Sequence, residues 1–386
     1  MLPVHEESAD FAAENLSRNR YRKTRVSAVP RELHRIGVFP DITQYNALNL
    51  ERKILWIFGF YSGKNYSIRK YRNISSIVSS CFSLTFITGM ALKVIEYEDD
   101  LETIFQTAHA CITSITGAIK LFCLYRALPH FNNLEESLIN PIFNLEIFDG
   151  TNFIAKAIKE YLSFSKFYWT MVCITFLLYG VFPVMIGEIP IPICILILSC
   201  SYPGIELILF GLFYLMSAQL DTLNYNLTHS TRRNAEDNLQ GEELKIQDRL
   251  KCCIEHHLAI IEFINGIKEI FSFGIFAQIV LNVLIICMSA LQFLRNSVTI
   301  VTMLSSVMYT LTILTQIGML CWVGQNITTK SSLIGESCYM SEWYTCSTST
   351  RRMFFIIIEK SKVVISFKVG NFFELSFKTF IMVGTV

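Results

Sequence analysis

The sequence predicts an all-α membrane protein with seven transmembrane helices and a cytoplasmic N-terminus, and three observations support this fold class. The 386 residues are 52% hydrophobic and 17% charged, with a mean hydropathy of +0.41, which is too apolar for soluble packing alone. Uncharged runs of about 20 residues recur, the helix length that crosses a bilayer core about 30 Å thick. The basic residues alternate between rich and poor segments along the chain.

The first three predicted spans lie before residue 188. They cover 74–92, 104–125 and 168–187. The second contains His109 near its outer end and Lys120 near its inner end. A long lysine side chain near a helix end can extend its ammonium group to the headgroups, so we expect Lys120 to do this. A histidine inside a span is a candidate for a binding site.

Prolines determine the prediction for the next apolar stretch. Residues 189–220 are too long for one span, and Pro190, Pro192 and Pro203 interrupt the first half. Because proline breaks the helical hydrogen-bond ladder, we predict a structured loop at 188–202 and a span at 203–223. In that arrangement Glu206 lies in the first turn, where a carboxylate is stabilised by the helix N-terminus.

Two further spans and one short segment complete the predicted set. The runs 270–294 and 297–323 contain no charged residue and are joined by a tight turn with Arg295. The last segment, 372–386, has 15 residues, about 22 Å of helix. This is shorter than the bilayer core, so we expect the last helix to be incomplete.

The distribution of Lys and Arg predicts the orientation. The segments 1–73, 126–167, 221–268 and 324–371 together hold 29 of these residues, and the alternate loops hold 2. Positive residues near span ends are retained in the cytoplasm. The N-terminus is therefore expected inside, which is the reverse of a G-protein-coupled receptor.

One short cluster has the composition of a metal site. Residues 252–257 read Cys-Cys-Ile-Glu-His-His, and a helical spacing of four would pair each Cys with a His. The apolar residues from Ile254 to Phe271 recur at helical spacing, which favours an amphipathic helix with the histidines on its polar side. We expect no metal site and no cofactor, and no enzyme motif is present in the sequence.

The outer halves of the spans are rich in aromatic and sulfur side chains. An apolar cavity between helices binds a small volatile or lipid-like ligand by burial, while a few polar groups fix its orientation. The predicted ligand-binding residues are His109, Tyr179, Phe182, Phe210 and Met308.

Three segments resemble the insect odorant receptors, a seven-span family of inverted topology, and within it the divergent receptors of moths. Residues 252–293 are similar to the helix that enters the fifth span. Residues 321–344, CWVGQNITTKSSLIGESCYMSEWY, resemble the exit from the sixth span, and 351–380 resemble the last cytoplasmic helix and the pore helix.

The resemblance implies a ligand-gated, non-selective cation channel that forms a heterotetramer with the odorant receptor co-receptor in the plasma membrane of a sensory dendrite. It implies a cytoplasmic helical anchor with Tyr339, Trp343 and Tyr344 at subunit contacts. It also implies a pore helix that begins with Leu375, Ser376, Thr379 and Phe380. The loop 221–268 is shorter than that of the co-receptor, which indicates a ligand-specific subunit.

The implied organisation has four parts. Residues 1–73 are a cytoplasmic N-terminal segment, 74–323 a six-helix ligand-binding bundle, 324–371 the anchor, and 372–386 the start of the pore helix. A gustatory-type receptor channel has the same topology and stays open as an alternative. A G-protein-coupled receptor requires the opposite orientation.

Epitope tags at both ends test the predicted topology. A tag at Met1 should bind antibody only after permeabilisation, because the basic segments hold the N-terminus inside. A tag after Val386 should be labelled on intact cells if a seventh span crosses. Labelling of the Met1 tag on intact cells would contradict the predicted orientation.

Overall fold

The computed structural model describes most of the chain, and the described residues belong to one compact unit, Ile42–Val386. They are residues 44, 46–61, 66–96, 101–144, 153–178, 192–233, 239–293, 300–369 and 373–384.

Helices make up almost all of the described structure. In chain order they are α1 Asn49–Ile57, α2 Tyr66–Glu96, α3 Leu101–Arg126, α4 Leu128–Ser137, α5 Phe153–Phe176, α6 Pro192–His229, α7 Leu239–Phe293, α8 Ile300–Ser332, α9 Ile334–Tyr339, α10 Thr348–Ser361 and α11 Phe377–Gly384. Short 3-10 turns lie at Asn46–Leu48, Pro141–Asn144 and Trp343–Thr345. Strands β1 Lys368–Val369 and β2 Phe373–Glu374 pair antiparallel before α11.

Five of these helices are long and apolar enough to cross a membrane. The candidate segments lie in α2, α3, α6 and α7, at Asn73–Leu92, Thr107–Arg126, Cys200–His229 and Gly241–Gln292, and in α8 with the turns that follow it, at Met303–Thr345. They coincide with the first, second, fourth, fifth and sixth predicted spans. The chain is an all-α membrane protein, as the composition predicted.

Several helices begin earlier than the apolar runs that predicted them. Helix α5 begins at Phe153 rather than residue 168, and α7 begins at Leu239, so that it has 55 residues and is about 80 Å long. The additional turns are polar and exposed on one face. Hydropathy detects only the part of a helix that meets lipid, so it misses such extensions.

The predicted loop at 188–202 is wrong over its second half. Helix α6 begins at Pro192 and continues through Pro203. Proline at a first helical position loses no hydrogen bond, and an internal proline is tolerated in a membrane helix when neighbouring groups supply the missing contacts. The predicted helix start at residue 203 is therefore replaced by one at Pro192.

Helix α6 is the centre of the bundle. It packs against α1, α2, α3, α5, α7, α8 and α9, and nearly every residue from Ser201 to Leu223 is buried. This explains its continuous apolar sequence, because a helix surrounded by other helices has no polar face.

A polar layer joins α1 and α4 near the N-terminal end of the described chain. Arg52 donates to Glu135 (3.0 Å), and the Tyr61 hydroxyl donates to the same carboxylate (2.7 Å). Burial raises the pKa of Glu135, although both partners favour its charged form. A buried carboxylate with two donors fixes α1 against α4.

His256 lies in the core, and its predicted position on a polar helix face is wrong. Its side chain is 1% exposed and its Nε2 is 2.7 Å from Gln219 Oε1. The Gln219 amide nitrogen and that of Gln44 both donate to the Phe143 carbonyl (2.7 and 2.9 Å). The histidine therefore belongs to a hydrogen-bonded contact between α6, α7 and the 3-10 turn at Pro141–Asn144.

The segment before α11 contacts α8 at Gly324. A Cβ atom added to Gly324 would lie 2.5 Å from the Cβ and the carbonyl oxygen of Leu375. Leu375 is 1% exposed. The last helix begins at Phe377, so Leu375 and Ser376, predicted to begin the pore helix, precede it.

Substituting Gly324→Ala should destabilise the protein by about 1 to 3 kcal/mol, because the added methyl group meets backbone that must move. The thermal unfolding midpoint of the detergent-solubilised protein measures this. Gly89→Ala is the matched control, since nothing lies within 4 Å of a Cβ there. Equal midpoints for the two variants would contradict the close approach of Gly324 to Leu375.

Candidate functional site

An ion pair is buried in the centre of the bundle. The Lys120 ammonium, on α3, donates to Glu206 of α6 and to the amide oxygen of Gln278 of α7. Lys120 is 0% exposed and Glu206 is 3% exposed. The expectation that Lys120 reaches the headgroups is wrong, and so is the capping role of Glu206, which lies well inside α6. Because hydrocarbon surrounds this part of the bundle, the lysine ammonium pairs with polar groups inside the bundle.

A second polar layer surrounds His109, one of the predicted ligand-binding residues. His109 is fully buried, and its ring stacks on Tyr309 with centroids 5.6 Å apart. The Tyr309 hydroxyl donates to the His109 carbonyl (3.0 Å) and also bonds the Thr113 hydroxyl. Ser289 lies 3.4 Å from His109 Nε2. Ser289 also donates to the Ile285 carbonyl (2.9 Å), one turn earlier on α7.

A stripe of polar side chains on α7 connects these two layers. Gln278, Asn282, Ser289 and Gln292 are each at most 2% exposed, and their spacing of four, seven and three residues places them on one helix face. Gln292 accepts from Ser306 of α8 (3.0 Å). This stripe was not predicted from the sequence, because the span has no charged residue. Helical spacing of amides and hydroxyls within an apolar run was the available signal.

The other predicted ligand-binding residues are distributed differently. Met308 is half-buried beside Tyr309, one turn before Thr312, whose hydroxyl bonds Thr175 of α5 (2.9 Å). Tyr179 and Phe182 lie outside the described residues.

Phe210 lies in another layer of the bundle. It is 1% exposed, and its ring is 5.0 Å from that of Phe164 and 6.2 Å from that of Trp322. Trp322 lies about 20 Å farther along α8 than Tyr309. The structure therefore does not bring Phe210 together with His109.

The polar groups around His109 form hydrogen bonds with one another. The described residues contain no group of three or more His, Cys, Asp and Glu side chains arranged to hold a metal ion. A stacked histidine and tyrosine with nearby hydroxyls can orient one polar group of a ligand, while the surrounding apolar side chains supply affinity through burial.

The three predicted anchor residues lie on or near an exposed apolar surface. Tyr339 is 68% exposed and Tyr344 is 65% exposed, whereas Trp343 is half-buried with its ring 5.5 Å from that of Phe355. Met340, Phe355 and Ile356 are also more than half exposed. A contiguous apolar patch of this size commonly marks a protein contact.

The predicted pore residues surround the start of α11. The Ser376 hydroxyl accepts from the Thr379 amide (3.4 Å), as an N-terminal cap does. Thr379 also donates to the Glu374 carbonyl (2.6 Å). Phe380 packs on Gly318 of α8, and Phe377, Ile381 and Met382 are exposed.

Comparison with known sequences gives a consistent result. The family model described as 7tm Odorant receptor matches residues 191–386. Putative odorant receptor 92a of Drosophila melanogaster is 26% identical over 187 residues, 48% of this chain and 45% of that protein. Odorant receptor Or1 of Anopheles gambiae is 27% identical over 133 residues, 34% of this chain and 32% of that one. The match to the odorant receptor coreceptor of Aedes albopictus is 20% over 171 residues, 44% of this chain and 35% of that protein. The aligned regions span less than half the length of these curated relatives.

The fold is similar to that of the olfactory receptor OR5 of Machilis hrabei, whose structure is solved alone and in complex with eugenol. This chain aligns with each of the two structures with a TM-score of 0.74 and 12% sequence identity, and each match covers 88% of this chain and 95% of the OR5 chain. At this identity the comparison establishes the fold.

Replacing Lys120 alone should destabilise the bundle more than replacing both members of the ion pair. Lys120→Met leaves Glu206 unpaired in the membrane, at a cost of about 3 to 5 kcal/mol, whereas the Lys120→Met/Glu206→Gln double variant has no buried charge and should recover much of this loss. Thermal unfolding of the two single variants and the double variant measures the coupling. Strict additivity would contradict a direct ion pair.

Proposed function

Because the chain belongs to the 7tm odorant receptor family, we propose that it is an odorant receptor subunit that binds a small volatile molecule and gates a non-selective cation channel. The observation that carries this proposal is the position of the family match. It runs from the start of α6 to the last helix and so includes both the anchor segment and the proposed pore helix.

The proposed ligand site lies in the half of the bundle around His109. It comprises His109, Tyr309 and Met308, together with Tyr179 and Phe182 of the third predicted span. The eugenol bound by the related receptor is a small aromatic molecule with polar substituents. A ligand of that kind suits an apolar site with one stacked histidine and tyrosine, because burial supplies affinity and the hydroxyls orient it.

The proposed assembly is a heterotetramer with the odorant receptor co-receptor. The similarity to a mosquito co-receptor and the exposed apolar patch at Tyr339 and Tyr344 support a contact between related subunits. In this assembly α11, which contains Thr379 and Phe380, is part of the helix that lines the pore, and the N-terminus lies in the cytoplasm. The site of action is the plasma membrane of a sensory neuron dendrite.

Gating follows from a shift between two bundle states. A volatile that binds the open arrangement more tightly than the closed one moves the population toward the open pore, and the shift is limited by that difference in affinity. The buried layers around Lys120 and His109 link α3, α6, α7 and α8. A ligand at His109 therefore acts on a bundle in which α8 also contacts the last helix.

Co-expression with an insect odorant receptor co-receptor tests the function. Cells that express both chains should respond with an inward cation current to some members of a panel of volatile compounds. Cells that express the co-receptor alone should not respond to these compounds. Cells with this chain alone are the second control. A current of full size without the co-receptor would contradict the proposed assembly and favour a gustatory-type channel.

The ligand site is tested by Tyr309→Phe and His109→Asn. Each removes or displaces a buried polar partner, so the concentration for half-maximal current should rise about tenfold, equivalent to about 1.4 kcal/mol. Phe273→Leu is the control, because this side chain is 67% exposed on α7. Equal responses of all three variants and the wild type would contradict a ligand site at His109.

A further inference from the structure

A groove of about 350 Å³ lies on the outer surface of the bundle between α5, α8 and α11. Its lining includes Phe164, Leu311, Thr315, Gly318, Trp322 and Phe380. All but Thr315 are apolar, and the Thr315 hydroxyl donates to the Leu311 carbonyl of its own helix (2.8 Å). The groove is therefore apolar throughout.

The groove is about as long as one leaflet of a bilayer core is thick. Leu311 and Trp322 mark its extent along α8, and they are about 16 Å apart along the helix axis. Half of a hydrocarbon core about 30 Å thick is about 15 Å. Both side chains are partly exposed, at 44% and 37%, and α8 is one of the candidate membrane spans, so hydrocarbon is the medium that meets the groove.

Polar side chains lie beyond the Trp322 end of the groove. The Trp322 ring is 5.4 Å from that of Tyr214, whose hydroxyl donates to Glu160 (2.5 Å). Lys156 Nζ lies 3.9 Å from the same carboxylate and is 76% exposed. Tryptophan and tyrosine side by side are typical of the membrane interface. A carboxylate and an ammonium together match a zwitterionic headgroup, which carries one cation and one phosphate.

We propose that this groove is a binding site for one acyl chain of a zwitterionic phospholipid, with the headgroup at Lys156 and Glu160. The basic-residue count places this end of α5 and α8 on the cytoplasmic side, so the lipid belongs to the inner leaflet. The acyl chain of the lipid lies along α8 and reaches Phe380. It therefore contacts α11 beside the exposed face of α8. The site is separate from the ligand site around His109.

Photolabelling tests the proposal on the full chain in nanodiscs. The discs contain dioleoyl phosphatidylcholine and a minor fraction of a phosphatidylcholine with a diazirine in the middle of one acyl chain. After irradiation, mass spectrometry should find label on peptides from the segment 311–322 and on the peptide that contains Phe380. The amount of label there should be several times the amount on the peptide that contains Phe273. Phe273 is more exposed than any of the groove residues named, so exposure alone predicts the reverse.

Two variants fill the groove from different positions. Gly318→Leu and Thr315→Phe should each lower the groove label several-fold and leave the label around Phe273 unchanged. Gly89→Leu adds the same side chain as Gly318→Leu where nothing lies within 4 Å, and it should change neither. If Gly318→Leu does not fold, Thr315→Phe still tests the site.

Three results would overturn the proposal. One is label that follows side-chain exposure, and another is groove label that persists in a folded groove-filling variant. The third is equal labelling by a photoactivatable free fatty acid, which would remove the assignment to a phospholipid. No current is measured, so a negative result leaves the proposed receptor function unaffected.

Discussion

The pairing of Lys120 with Glu206 is the constraint on which the rest of the bundle depends. Two charged side chains that are almost fully buried in a membrane protein must face each other, because neither lipid nor water satisfies them there. This fixes the rotation of α3 against α6, and Gln278 adds α7 to the same contact. The polar stripe of α7 then lies inside the bundle, where His109 and Tyr309 complete its other end.

Composition and hydropathy predicted the fold class and the position of five spans, because lipid imposes a strict requirement on helix length and polarity. They did not predict where the helices begin. The first turns of α5 and α7 are stabilised by contacts with other helices outside the lipid, and such contacts leave no hydropathy signal. Pro203 gave a false boundary, since a proline that would end an isolated helix is held within the tightly packed α6.

Only part of the candidate site could be predicted from the sequence. His109 stood out because a histidine is rare within a span, yet its stacking partner Tyr309 is one of 16 tyrosines and had no distinguishing pattern. Phe210 shows the opposite difficulty. Phe210 lies within a predicted span, as expected. The layer of the bundle that an aromatic side chain enters depends on how far its helix is shifted along its neighbours, and hydropathy does not determine that shift.

The contact between Gly324 and Leu375 has a mechanical consequence. The backbone before α11 touches the backbone of α8 there, with no side chain between them to yield, and β1 pairs with β2 immediately before that point. The end of α11 nearest Leu375 is therefore held against α8, and one turn later Phe380 packs on Gly318. A shift of α8 at Gly324 would therefore move the start of α11 with it.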